Sequence, residues 1–446
     1  MPISGPGNSR VWSDAIERAF QLSAEQGANE LDGFGQPVVV GNDMEGRTAR
    51  FGKGIAGIQR YDVVTPAMYD DGVVGAAGRL ARITVEIERG REVHACAFSP
   101  DGARVIPSER EGAIEAAMLR RLPHDLKLFE VKDAMAITSA NTYATPTPVI
   151  EEGRVYLHFG TYGTACLDTA TGEVLWERRD LNCDHEKGAG PASSPTLVGD
   201  YFVVHVDGRD NQYIIALHKK DGTTAWKTDR SLDYSEVPVH HRKAYGMPIL
   251  IPRGEGGEQL VGVGGRGVFA YDPRTGKELW KMRHRGWSIA PRPVHGHGLV
   301  FALIDRDDPE LWAIRPDGRG DVTETHIAWR ETKRMPPRAS PLLVGDLLFL
   351  VNRNGVATCL EAKTGKQVWQ ERLKGNYSAS PIASKGRIYF FSEEGLATVI
   401  RPSREFKILA TNALEGGPLM ATPAVSGASL YIRTEKHLYR VSNSGP

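Results

Sequence analysis

The sequence predicts an all-β fold, an eight-bladed β-propeller built from four-stranded antiparallel blades. Three observations carry that prediction: a phrase recurring every 40 to 53 residues, a second phrase at a steady lag behind it, and a composition rich in turn formers. Gly supplies 49 of the 446 residues and Pro 27, beside 41% hydrophobic residues. That balance favours many tight turns over long helices or disorder.

The first phrase is a small residue, Pro, a short β-rich run, Gly, and a second β run. It reads TPVIEEGRVYLHF at Pro148, SPTLVGDYFVV at Pro195, MPILI at Pro248 and RPVHGHGLVFAL at Pro293. It continues as SPLLVGDLLFLV at Pro341, SPIASKGRIYFF at Pro381 and TPAVSGASLYI at Pro423. One mean step of about 46 back from Pro148 lands near FSPDGARVI at Pro100, the eighth unit. The second phrase follows 28 to 36 residues after the first, ending at Trp176, Trp226, Trp280, Trp329 and Trp369. It reads as two strands joined by a turn in which Gly supplies the positive φ. Each unit thus offers four strands, A to D, and radial repetition buries faces that one unit cannot bury alone. The recurring Trp, always on strand D, is expected to wedge between neighbouring blades rather than to stack sugars.

The last unit begins at Pro423, and its Trp would fall near 451, past residue 446. Its outer strand is therefore expected from Arg82–Ile87 (RITVEI), lying beside Leu438–Val441 and removing an open edge. The domain reading is a propeller over 81–446, closed near 82–87, and a short mixed extension over 1–80. In the extension, Asp14–Gln26 reads as a capped helix, and Gln36–Gly41 and Val63–Tyr69 as strands.

Lys and Arg total 55, as do Asp and Glu, so no global field points to nucleic acid. No apolar run approaches the ~20 residues of a membrane span. The opening MPISGPGNSR has no apolar core of signal type, so any export signal has been removed or was never part of the chain. The four cysteines (Cys96, Cys166, Cys183, Cys359) include no CxxC pair, which argues against a disulfide framework or a Cys-rich zinc site. A monomer is expected.

The repeat motifs resemble those of the PQQ-like (pyrroloquinoline quinone) repeat family, whose signature is a strand ending in an Ala/Leu-Asp pair and then xTGxxxW. The resemblance is good at Asp168/Thr171-Gly172/Trp176, Asp272/Thr275-Gly276/Trp280 and Thr364-Gly365/Trp369. It is weaker at Asp221-Gly222/Trp226 and Trp329, and decayed in VIRPSREFKILA. It spans roughly Arg82–Val441 and implies the quinoprotein alcohol dehydrogenase-like superfamily. That superfamily includes dehydrogenases, an outer-membrane-assembly lipoprotein and many exported bacterial propellers of unassigned role. An exported or periplasmic location is implied by the same resemblance.

Candidate chemistry concentrates in the loops leading from strand D into the next strand A, which ring the central funnel. These loops carry Arg91 and His94, Asn141 and Tyr143, His185 and Glu186, then His241, Lys243 and Tyr245. Arg285 and Trp287 follow, then Arg334 and Arg338, Asn376 and Tyr377, and Glu415. Basic and neutral hydrogen-bonding groups outnumber acids, which suits an anionic ligand. The binding residues expected from this set are His185, Glu186, His241, Lys243, Trp287, Arg334, Arg338, Asn376 and Tyr377. The charged ones, Lys243 and Arg338 above all, are expected to be exposed loop groups that bear on docking and little on stability.

The leading expectation is a non-catalytic binding or assembly scaffold whose funnel rim takes an anionic polysaccharide or an acidic peptide of a protein partner. One alternative is a lyase acting on uronic-acid polymers. Tyr143, His185 or His241 would be its base, and Arg338, Arg334 or Lys243 would neutralise the carboxylate. The other is a dehydrogenase using PQQ with calcium. The resemblance implies for it a clamp of adjacent cysteines that this chain lacks, and no cofactor or metal is expected. Two further motifs are read as structural. Gly262-Val-Gly264-Gly-Arg-Gly267 fits GxGxxG, but a strand follows it where a dinucleotide site needs a helix. His295-Gly-His297 falls at an A–B turn with no third ligand nearby.

Overall fold

The structure is a computed structural model. It describes residues 145–185, 190, 192–254, 256–426, 429–435 and 437–443, together with the strands Pro37–Val38, Val63–Val64, Arg82–Ile87, Arg91–Ala95 and Asp125–Val131. The elements are strands throughout, interrupted among the described residues only by two three-residue 3-10 turns, Gly160–Tyr162 and Val239–His241.

Six blades are complete antiparallel meanders entered at Pro148, Pro195, Pro248, Pro293, Pro341 and Pro381. The Pro148 blade shows the pattern: Val149–Glu151, Arg154–His158, Thr164–Asp168 and Val174–Arg178 as strands A to D. Strands B and C are almost wholly buried, and D alternates because one face meets solvent. The Pro248 blade carries an extra strand, Gly320–Asp321, parallel to its outer strand Glu278–Arg283.

The seventh blade corrects the expected count of eight. Strands Ala424–Ser426, Ser429–Arg433 and Leu438–Asn443 are completed by Pro37–Val38 and Val63–Val64, both paired antiparallel with Leu438–Asn443. The segment Arg82–Ile87 does not close the ring. It pairs antiparallel with Arg91–Ala95 and in parallel with Asp125–Val131, forming a separate three-stranded sheet. A parallel neighbour needs a crossover, so this sheet cannot be an up-and-down blade. The periodicity located the seven blade entries from Pro148 to Pro423 but could not say which upstream strand would complete the ring. The expected helix at 14–26 and the unit at Pro100 lie outside the described residues.

Both recurring phrases acquire a physical reason. In the first, the hydroxyl before Pro accepts a backbone N–H from the matching residue of the preceding blade. Thr147 donates to Ser194 Oγ, Arg292 to Ser340 Oγ, Ser340 to Ser380 Oγ and Ser380 to Thr422 Oγ1, each at 2.9 Å. The series lacks a hydroxyl where Met247 and Arg292 take the slot.

In the second phrase, the Trp of one blade docks on the C–D turn of the next. The indole N–H of Trp176 donates to the Lys219 carbonyl at 2.9 Å, Trp226 to Pro273 at 3.2 Å, Trp329 to Ala362 at 3.0 Å and Trp369 to Ser403 at 3.1 Å. At Trp280 the contact is relayed: its N–H donates to Gln259 Oε1, and Gln259 Nε2 donates to the Pro316 carbonyl. Gly276 explains the TG pair, for its φ is +71° and a Cβ there would lie 2.4 Å from Trp226. Opposite each Trp on strand C stands a small residue, Cys166, Ala216, Ala270, Ala313 or Cys359, and a bulge follows. That is why Cys166 and Cys359 share a slot; both are buried free thiols, as is Cys183.

Both motifs read as structural lie at turns between blade strands. Gly262 to Gly267 join strands Gly257–Gly264 and Gly267–Tyr271. His297 sits in an A–B turn with φ +54° and meets the Gly345 carbonyl of the next turn at 2.9 Å.

Candidate functional site

Antiparallel alternation puts the D-to-A loops and the B–C loops on the same face of the ring. The sequence reading gathered only the former, and the B–C loops bring carboxylates among them. Asn376 donates its backbone N–H and its Nδ2 to Glu394. Arg338 donates to Ser378 Oγ at 3.2 Å, and Ser378 in turn donates to Glu393 at 2.5 Å. Arg334, exposed at φ +60°, reaches Gln370 Oε1 at 2.6 Å. Tyr377 is 1% exposed, packs in the core between the Pro341 and Pro381 blades, and donates its hydroxyl to the Lys374 carbonyl. Burial pushes its phenol up to about 12. In this sector the nominated side chains are engaged with neighbouring groups of the fold.

Under the seam of the Pro148 and Pro195 blades lies a cavity of about 10 Å³ of water-accessible space, roughly room for one water. His158, Cys183, His185, His205 and Asp207 line it. His185 is 6% exposed with Cys183 Sγ 3.6 Å from its Nε2, and burial raises that thiol's pKa, which suits an inert cysteine. Beside them, Asp207 accepts both arms of Arg230, at 3.0 and 2.7 Å.

Burial holds these imidazoles neutral: His158 is lowered to about 3, with His185 adding to the effect; His185 is lowered to about 4; His205 falls well below its ordinary value. The unfolded chain, with histidines near 6.5, therefore binds more protons than the folded one between about pH 3 and 6.5. Stability is present in full above about 6.5 and is lost as pH falls through that window. Thermal melts should show Tm dropping from pH 7 to 5; a flat profile would contradict these burials.

The Pro248 and Pro293 lead-in loops form a different arrangement, at the two positions where the hydroxyl series breaks. Their backbones are stitched together, Ser288 N–H to the Lys243 carbonyl at 2.9 Å and Tyr245 N–H to the Ile289 carbonyl at 2.8 Å. Ser288, Arg266 and Asp305 hold φ of 54°, 70° and 73°, a concentration of left-handed residues around one side chain, Trp287. His241 stacks on its indole at 4.7 Å and 29°, and His240 meets it edge-on at 5.6 Å. Lys243 Nζ lies 5.7 Å and the Arg306 guanidinium 5.5 Å from the ring centre. Arg266 lies 2.7 Å from His241 Nδ1. Burial, His240 and Arg266 together lower the His241 pKa.

The structure thus brings His241, Lys243 and Trp287 together and adds His240, Arg266 and Arg306. Lys243 departs from expectation: it is 5% exposed, so its removal costs packing as well as charge. Arg266 and Arg306 come from B–C loops, and the signal that finds them is the alternation of loop direction. Glu186, Tyr143 and Asn141 lie outside the described residues, as do the side chains of Arg91 and His94. No two cysteines adjoin, and among the described residues no three His, Cys, Asp or Glu side chains stand together as metal ligands. No helix among the described residues is long and apolar enough to cross a membrane.

A family model described as "Outer membrane protein assembly factor BamB" matches residues 131–228 and 210–444. The chain is 22% identical over 295 residues to the outer membrane protein assembly factor BamB of Shewanella oneidensis, spanning 61% of this chain and 66% of that protein. It is 28% identical over 256 residues to the quinohemoprotein alcohol dehydrogenase ADH-IIG of Pseudomonas putida, over 50% of this chain and 31% of the enzyme. The chain thus spans just under two thirds of the first relative and about one third of the second. The crystal structure of BamB from Moraxella catarrhalis superposes with a TM-score of 0.51 at 15% identity, covering 67% of this chain and 83% of that one, a likeness of fold. With a model match running through six blades and into the seventh, the chain belongs to the PQQ-like repeat family described as outer membrane protein assembly factor BamB.

Proposed function

We propose that the protein is a non-catalytic binding and assembly propeller of a bacterial envelope, docking an acidic segment of a protein partner on its D-to-A face. The observation that carries this reading is the Trp287 cluster, where two cations and two imidazoles gather on one half-buried indole and a third cation, Arg266, backs His241. Elsewhere on the face, Arg338, Asn376 and Tyr377 are engaged by neighbouring groups of the fold. The BamB family membership supports an assembly role, and an exported location goes with it.

The test is hydrogen exchange on the full chain with polyglutamate as probe, first at low and then at physiological ionic strength. Protection is expected in 237–245, 284–289 and 304–308, fading as salt screens the charges. Turnover of uronic-acid polymers, or of alcohols with PQQ and calcium, that vanished in Tyr143→Phe or His185→Ala would replace the scaffold by an enzyme.

A further inference from the structure

The Trp287 sector has an apolar component that its charge alone does not explain. Val239 opens the 3-10 turn Val239–His241 and is 41% exposed, beside the two imidazoles that pack on Trp287. A solvated β-branched side chain in the same turn as the imidazoles that pack on a half-exposed indole offers apolar surface that a purely charged ligand would leave wet.

The charges are placed at the edge of that surface. Arg306 is exposed, with Asp307 4.0 Å from its Nε, the outer limit of an ion pair. Asp305 spends its carboxylate on the amides of Arg306 and Asp307, at 2.6 and 3.1 Å. Arg306 therefore keeps most of its donors for a ligand, since a guanidinium has five.

We infer that this sector reads a peptide in which an apolar side chain directly precedes carboxylates. The apolar group would cover Val239 and the open part of Trp287, while the carboxylates meet the exposed Arg306, with the buried Lys243 adding its field from beneath. The inference rests on the docking reading above and names the chemistry of the docked segment. A polysaccharide fits less well. Sugar stacking needs an open aromatic face, and His241 covers one face of this indole while cations stand over the ring.

The test uses the full chain and a labelled synthetic peptide carrying one Leu-Asp-Glu unit in a Gly/Ser background, read by fluorescence anisotropy. A control peptide replaces the Leu by Ser, and an oligogalacturonate stands for the sugar alternative. The Leu peptide is expected to bind about tenfold more tightly than its control. Arg306→Glu should weaken both peptides about tenfold, whereas Val239→Asp should remove most of the advantage that Leu confers. Both substitutions fall on exposed side chains, so the fold is expected to survive them.

If the two peptides bind equally while polyglutamate still protects the loops, the inference falls and the docking reading stands. If neither peptide nor polyglutamate binds, both fall. Oligogalacturonate binding more tightly than the Leu peptide, with the same loss in Arg306→Glu, would assign the sector to a polysaccharide instead.

Discussion

Asp207→Ala is expected to destabilise the protein by about 3–5 kcal/mol, among the largest losses available to a single side chain. Asp207 and Arg230 are 1% and 0% exposed and lie 2.7 Å apart at their closer contact. Arg230 also donates to the Tyr271 hydroxyl at 2.8 Å and stands 4.7 Å from the Phe269 ring. Burial alone would lower the Arg230 guanidinium, but Asp207 and Tyr271 hold it above its ordinary value. Burial raises the Asp207 carboxyl and Arg230 opposes the rise. Removing the acid leaves a full charge in a buried site whose other neighbours are aromatic. Urea unfolding measures the loss. Should Asp207→Ala fail to fold, the double replacement Asp207→Leu with Arg230→Met should recover most of the stability, because the pair contributes little over a well-packed apolar substitute. A loss under about 1 kcal/mol would mean that water reaches Arg230.

Trp280→Ala is expected to cost about 3–5 kcal/mol as well, by a different route. Trp280 is 1% exposed and sits in the cluster that joins the Pro248 and Pro293 blades. Its removal opens a cavity and strips Gln259 Oε1 of its donor, loosening the relay to Pro316. Trp280→Phe should recover part of the loss by filling volume without restoring the N–H. If the Ala variant melted with the parent, the Trp would not be the inter-blade wedge that its position indicates.

Much of this architecture was legible in the sequence, for a physical reason. A blade must repeat its turn glycine, its Trp and its Ser/Thr-Pro step, because each contacts the neighbouring blade at the matching place. The Pro148 to Pro423 spacings therefore located the blades, and the Trp slot identified the wedge. Closure of the ring was not legible. Pro37–Val38 and Val63–Val64 are two-residue strands with no repeat around them, and RITVEI alternates as well as any blade strand while pairing elsewhere.

At the site, His241, Lys243 and Trp287 were visible as lead-in loop residues. Arg266 and Arg306 were missed because loops were collected by phrase rather than by direction, and the same omission hid Glu393 and Glu394, which engage Ser378 and Asn376. Burial was the other blind spot. Tyr377 and Lys243 stand in polar loops, and nothing in their immediate sequence marks them as interior.

Hydrogen exchange with polyglutamate on the full chain tests the central claim most directly, because it maps docking without assuming a residue. Protection confined to 237–245, 284–289 and 304–308, lost at physiological salt and absent in Arg306→Glu, is the predicted result. Protection in the Arg338 and Asn376 loops, or in the C–D turns around Gly172, Gly222 and Gly276 on the opposite face, would contradict it.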